Sequence, residues 1–181
     1  MQRLVDYYKE RLDCTNHRQW EKWPFHRIYN PYTEDNGGVP CVEKWREIVD
    51  AHIAKQTQPI DFDVLYNELS ELAKDVKGVG KLHIYDTAIC FAEPTKVYFH
   101  SGAKEGAKEI LEHCTTASVA TFAAKHPELA GLTPLQLEDF LCVFKDVLKG
   151  EKSIKEKLNE MSSQSGICDK KSGNGTCCCR Y

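Results

Sequence analysis

Apolar residues recur at helical spacing through most of the chain. Leu4, Val5, Tyr8 and Leu12 mark one side of a first helix over residues 2–13. Val42, Trp45, Ile48, Val49 and Ile53 mark a second over 40–55, with Pro40 at an early helical position. A third starts at an Asp61 N-cap and runs to about Val76 through Leu65, Leu69, Leu72 and Ala73. After Gly78-Val79-Gly80 a fourth pattern begins, carried by Leu82, Ile84, Tyr85, Ala88, Ile89 and Phe91 and closed by Glu93-Pro94.

Lys96-Val97-Tyr98-Phe99 is a short extended run, and His100 to Lys108 leads into a helix through Ile110, Leu111 and Cys114. Residues 115–125 are small and apolar and predict a tightly packed helix that His126-Pro127 ends. Thr133-Pro134-Leu135-Gln136 has capping-box spacing with proline at the first helical position. The helix beyond carries Leu137, Phe140, Leu141, Phe144, Val147 and Leu148 and stops at Gly150. A charged helix over 151–161 is mostly a solvated face, with Ile154, Leu158 and Met161 as a thin stripe. The pattern predicts an all-α fold, a helical bundle.

Two stretches break it. Residues 14–40 hold Trp20, Trp23, Phe25, Tyr29 and Tyr32 between prolines and Gly37-Gly38, which predicts a long loop pinned by aromatics. With Arg18, Lys22, His26 and Arg27 interleaved, these rings suit either stacking on bases or anchoring the loop to the core; the second is preferred. From Ser162 the chain becomes polar and glycine-rich and ends near Cys177-Cys178-Cys179, a composition that buries no core. The 181 residues therefore divide into one mostly helical domain, 1–161, and a flexible Cys-rich tail, 162–181. The tail does not match a prenylation box, because Arg180 is not aliphatic.

No run of apolar residues is long enough for a membrane span, and the N-terminus lacks the apolar core of a signal peptide. The nine cysteines show no framework spacing, as expected of buried thiols in a reducing compartment. The chain reads as intracellular, without distinguishing cytoplasm from nucleus. Cys14, His17, His26 and Cys41 have zinc-ligand chemistry but no matching second close pair, so they read as unrelated loop residues. No metal and no cofactor is expected. The net charge of -3 argues against broad nucleic-acid binding, so any DNA contact has to be local.

Gly78-Val79-Gly80 is where such a contact can form. Glycines on both sides of a tight turn expose bare N–H groups at the start of the next helix, and the helix dipole favours an anion there. The two amphipathic patterns joined by G-V-G resemble the helix-hairpin-helix motif, particularly that of the base-excision DNA glycosylases, over roughly residues 65–107. The resemblance implies an all-α fold and a hairpin that grips the DNA backbone through Gly78, Val79, Gly80 and Lys81, with Lys77 and Lys74 adding charge. An ordinary glycine helix stop, with the hairpin as a packing joint, is the competing reading.

The resemblance does not bring the activity. Members of that superfamily flip a base and need an aspartate after the second hairpin helix. Bifunctional members add a lysine nucleophile just past the turn. Leu82 stands at the lysine position, with Lys81 one residue early, and Phe99 or His100 stands where the aspartate belongs. Asp86 lies on the hairpin's second helix, where the family has no catalytic acid. The cluster-binding cysteine spacing of the family is also missing. The sequence argues against glycosylase or lyase chemistry.

Two further sets are worth placing in space. Ser101, Gly102 and Lys104 can bind an anion at a helix start, although a serine-capped helix with a surface lysine is simpler. Tyr85, Asp86 and His100, with Lys104, can line a pocket for an enzyme or a small-ligand protein. Asp86 and His100 are the weak catalytic candidates, and structural hydrogen bonding is their preferred role.

Overall fold

The structure, a computed structural model, describes residues 1–11, 38–111 and 116–163, with all side chains there except those of 11, 38–40, 101, 162 and 163. The aromatic stretch before Gly38, the Cys14, His17 and His26 set and the Cys177–Cys179 tail lie outside the described residues. The described residues are mostly helical, as the pattern predicts, with one short strand pair. No helix among them is long and apolar enough to cross a membrane. The chain divides into two compact units, one of Met1–His17 with Thr95–Tyr181 and one of Arg18–Pro94.

In the Arg18–Pro94 unit, α2 (Gly38–Ile53) presents buried Cys41, Trp45 and Val49 at helical spacing. Helix α3 (Phe62–Leu72) starts where expected, because Asp61 Oδ1 accepts the Val64 N–H at 2.9 Å. A single 3-10 turn, Ala73–Asp75, carries the chain to the glycine turn, and α4 (Lys81–Ala88) follows. Trp45 is fully buried and ties α2 to α4: its Nε1 donates to Thr87 Oγ1 at 3.0 Å, and that hydroxyl donates to the His83 carbonyl at 2.7 Å. Phe62 meets Tyr85 edge to face at 5.8 Å, closing α3 on α4.

In the other unit, α1 (Gln2–Arg11) lays Leu4, Val5 and Tyr8 into a core shared with α5 (Ser101–Lys108) and α7 (Pro134–Val143). Tyr8 meets Phe140 edge to face at 5.8 Å. The predicted capping box at α7 is present: Gln136 N donates to Thr133 Oγ1 at 3.2 Å, and Thr133 N donates to Gln136 Oε1 at 2.9 Å. Strand β1 (Val97–Tyr98) pairs antiparallel with β2 (Thr116–Ala117).

That pairing corrects one expectation. Residues 115–125 are not one helix, since Thr116 and Ala117 belong to β2 and α6 spans only Val119–Ala123. The physical cause is Ser118, whose Oγ accepts the Thr121 N–H at 3.2 Å and sets the helix start there. The long helix after Pro134 also breaks, at Phe144 with φ -100° and ψ 13°, leaving a one-turn α8 (Lys145–Leu148). Helix α9 (Ile154–Ser163) begins later than its charge pattern suggests, because Ser153 and Glu156 form a reciprocal cap at 2.8 and 3.2 Å. Its polar face is less solvated than the pattern implies. Lys157 is buried, with Asp146 3.7 Å away.

Candidate functional site

The glycine turn is built from three local facts. Val76 leaves the 3-10 turn extended, with φ -115° and ψ 100°, and its carbonyl accepts the Val79 N–H at 3.2 Å. Gly78 sits inside that four-residue turn at φ 94°, a conformation side chains resist, so the turn requires glycine there. Val79 is half-buried. Gly80 then caps α4 at φ -105° and ψ 178°, ordinary extended backbone.

Gly80 differs from Gly78 in kind. A Cβ added to it would meet nothing within 4 Å, and its backbone angles suit any residue. Neither conformation nor packing asks for glycine at this exposed position. The first N–H groups of α4 have no intrahelical acceptor, and they follow this bare Cα directly.

The Gly80 N–H itself donates to His83 Nδ1 at 3.3 Å. His83 is buried, and burial holds its imidazole below the usual histidine range, with Asp86 opposing in part. The ring is therefore uncharged at neutral pH, as an accepting Nδ1 requires.

Helix α2 braces the approach to the turn. Cys41 Sγ donates to the Lys77 carbonyl at 2.8 Å, and one turn on, Lys44 Nζ donates to the Asp75 carbonyl at 3.4 Å. Burial pushes the Cys41 thiol up, only partly offset by Lys44, which keeps it a donor and not a nucleophile. Lys44, Lys77 and Lys81 are exposed and have no carboxylate partner among the described residues. Lys74 is exposed too, but its ammonium is paired with Glu71 at 2.5 Å.

The other sequence candidates fall as follows. Tyr85 and Asp86 are buried on α4 in the Arg18–Pro94 unit. His100 and Lys104 belong to the other unit, where His100 precedes α5, half-buried and stacked on Tyr98 at 6.4 Å, and Lys104 is exposed. Gly102 is buried, and a Cβ there would stand 2.9 Å from Cys142 Sγ, so a side chain at this position has to displace a neighbour. The Ser101 side chain is outside the described residues. Leu82, expected at the lysine position, is half-buried, and of the two residues expected at the aspartate position, Phe99 and His100, Phe99 packs on Phe122 at 5.8 Å.

Sequence reasoning weighed Cys41 only as a possible zinc ligand, and it missed the roles at the turn of Cys41, Lys44 and His83. The last was legible as a polar residue three past the helix cap; the first two reach the turn only through folding. It also missed Glu138 and Asp139, buried acids inside the apolar stripe of α7, the second accepting the Tyr8 hydroxyl at 3.1 Å. Among the described residues no group of His, Cys, Asp and Glu side chains is placed to hold a metal ion. A pocket of about 260 Å³ lined by Met1, Leu4, Ile110, His126 and Ile154 contains none of the candidates. Compared with family models, curated proteins and solved structures, the chain matches none of them.

Proposed function

We propose that this protein is a helix-hairpin-helix module that binds the phosphate backbone of duplex DNA through residues 77–81 and carries out no glycosylase chemistry. The observation that supports this most is Gly80. A bare Cα at this N-cap, where Ser, Thr, Asp or Asn would cap the helix as well, lets an incoming phosphate approach the N–H groups at the start of α4 closely. Lys77 and Lys81 flank that approach as exposed cations with no carboxylate partner among the described residues. Leu82 at the family's lysine position, and Phe99 or His100 in place of its aspartate, support the second half of the reading.

Anisotropy of a labelled duplex at low and moderate salt tests it. The full chain should bind at low salt and weaken steeply as salt rises. Lys77→Ala with Lys81→Ala should abolish binding. Gly80→Ala should fold normally and bind about tenfold more weakly, equivalent to ~1.4 kcal/mol. No binding at low salt, or undiminished binding by Gly80→Ala, refutes the proposal and leaves the hairpin as a packing joint. The alternative, an enzyme or small-ligand protein, draws support only from the burial of Tyr85 and Asp86.

A further inference from the structure

We infer that Lys44 of α2, not Lys74 of the hairpin, is the third backbone-neutralising cation of the DNA site. The inference rests on the DNA reading above and extends the site to an element distant in sequence. Four lysines stand on or beside the turn: Lys44, Lys74, Lys77 and Lys81. A sequence reading favours Lys74, Lys77 and Lys81, because they are close in the chain.

The structure reorders them. Lys74 Nζ lies 2.5 Å from a Glu71 carboxylate on the same helical face, so an approaching phosphate would have to displace that carboxylate or tolerate it. Lys44 has no such partner among the described residues. Its ammonium reaches the Asp75 carbonyl at 3.4 Å, which places it two residues before Lys77 on the approach to the hairpin. The placement is held from beneath. Cys41, one turn earlier on α2, fixes the Lys77 carbonyl at 2.8 Å, and Trp45, next to Lys44, anchors the helix on Thr87 of α4.

Lys44 is thus a cation of α2 carried on a rigid brace to the hairpin's edge. A long contact to one carbonyl leaves its remaining donors for a phosphate oxygen. The ligand that suits this arrangement is a polyanion with regularly spaced charges, one phosphate at the α4 start and another at the α2 side. A duplex backbone has that form.

The test is the salt dependence of duplex binding by the full chain. Each phosphate neutralised contributes about 0.9 to the slope of log K against log salt. Lys44→Met keeps the alkyl stem and removes the charge; it should make the slope shallower by about 0.9. Lys44→Arg should restore it, and Lys74→Met should leave it at the wild-type value. Circular dichroism should show all three folded. A wild-type slope in Lys44→Met, or equal losses from Lys44→Met and Lys74→Met, overturns the inference. Absence of wild-type binding at low salt overturns instead the DNA reading on which it rests.

Discussion

Replacing Gly106 by alanine should damage the fold more than the same change at Gly80 or Gly102, and the geometry says by how much. A Cβ at Gly106 would stand 2.3 Å from the Leu141 carbonyl oxygen and 3.0 Å from its carbon. Carbon and oxygen settle no closer than about 3.3 Å, so α5 must retreat from α7 by about 1 Å. The obstacle is backbone inside a helix and cannot rotate away. A gap of about 1 Å forfeits up to about half the dispersion attraction between the facing surfaces. Here those surfaces carry the buried Ala103, Ala107, Leu137 and Leu141. Overpacking of this kind costs about 3 kcal/mol at the upper end of its usual range. The better helix propensity of alanine returns about 1 kcal/mol. A net loss of about 2 kcal/mol follows. Two other glycines calibrate the measurement. At Gly102 the Cβ meets the ends of two side chains, Cys142 Sγ at 2.9 Å and Lys145 Cδ at 3.2 Å, which can shift. Gly102→Ala should therefore stay within about 1 kcal/mol of wild type. At Gly80 nothing lies within 4 Å, and the cost of alanine at an N-cap offsets its entropic gain to within about 1 kcal/mol. Urea unfolding followed by far-ultraviolet circular dichroism should order the midpoints Gly80→Ala, Gly102→Ala, Gly106→Ala, from highest to lowest. A Gly106→Ala midpoint at or above that of Gly102→Ala refutes the close-approach argument.

Two further outcomes are expected. Thr133→Ala removes the acceptor that holds the Gln136 N–H at 3.2 Å and should lower stability by about 1 kcal/mol, read from the same urea curves. His83 should make stability pH-dependent. Its folded-state affinity for protons is depressed, so the unfolded chain binds more protons between the folded pKa and the ordinary histidine value near 6.5. The stability it contributes is complete above that value and is lost as pH falls through the folded pKa. Urea midpoints at pH 7.5 and pH 5 should differ less in His83→Gln than in wild type, and an unchanged difference would count against the buried, accepting ring.

The helices were legible because their information is local. Asp61 and the Thr133-Gln136 box are chemistry within one turn of chain, and both caps form as expected. The pattern also gave the buried stripe of α3, because Leu65 and Leu69 recur at the helical period. Residues 115–125 misled for a complementary reason. Small apolar residues pack in helices and strands alike, and the partner that makes Thr116–Ala117 a strand is Val97–Tyr98, remote in sequence. At the candidate site the same division holds. The turn and its glycines stand together in the chain, whereas Cys41 and Lys44 reach it through the packing of α2, which Trp45 and Thr87 tie to α4. The pairing of Lys74 with Glu71 was readable as an i,i+3 contact, yet a sum of nearby lysines conceals it.

The glycines show how a site can be separated from its scaffold. Gly78 is required by its positive φ and Gly106 by the Leu141 carbonyl, so the fold explains both. At Gly102 a Cβ would press on side-chain atoms of Cys142 and Lys145, which can yield. At Gly80 the angles are ordinary and the surroundings open, so within the fold glycine serves there as the N-cap of α4. Glycine also carries a penalty, since it loses more conformational freedom on folding than any other residue. What the N-cap role leaves open is why glycine stands there and not Ser, Thr, Asp or Asn, whose side chains would cap the helix and crowd an approaching ligand. The acidic balance of the chain sharpens this argument. With a net charge of -3, long-range attraction to DNA is weak, so under the proposed reading recognition would rest on close contact at a few positions. A bare Cα at the start of α4, beside Lys77 and Lys81, which have no carboxylate partner among the described residues, is the arrangement through which close contact with a phosphate would outweigh that unfavourable charge.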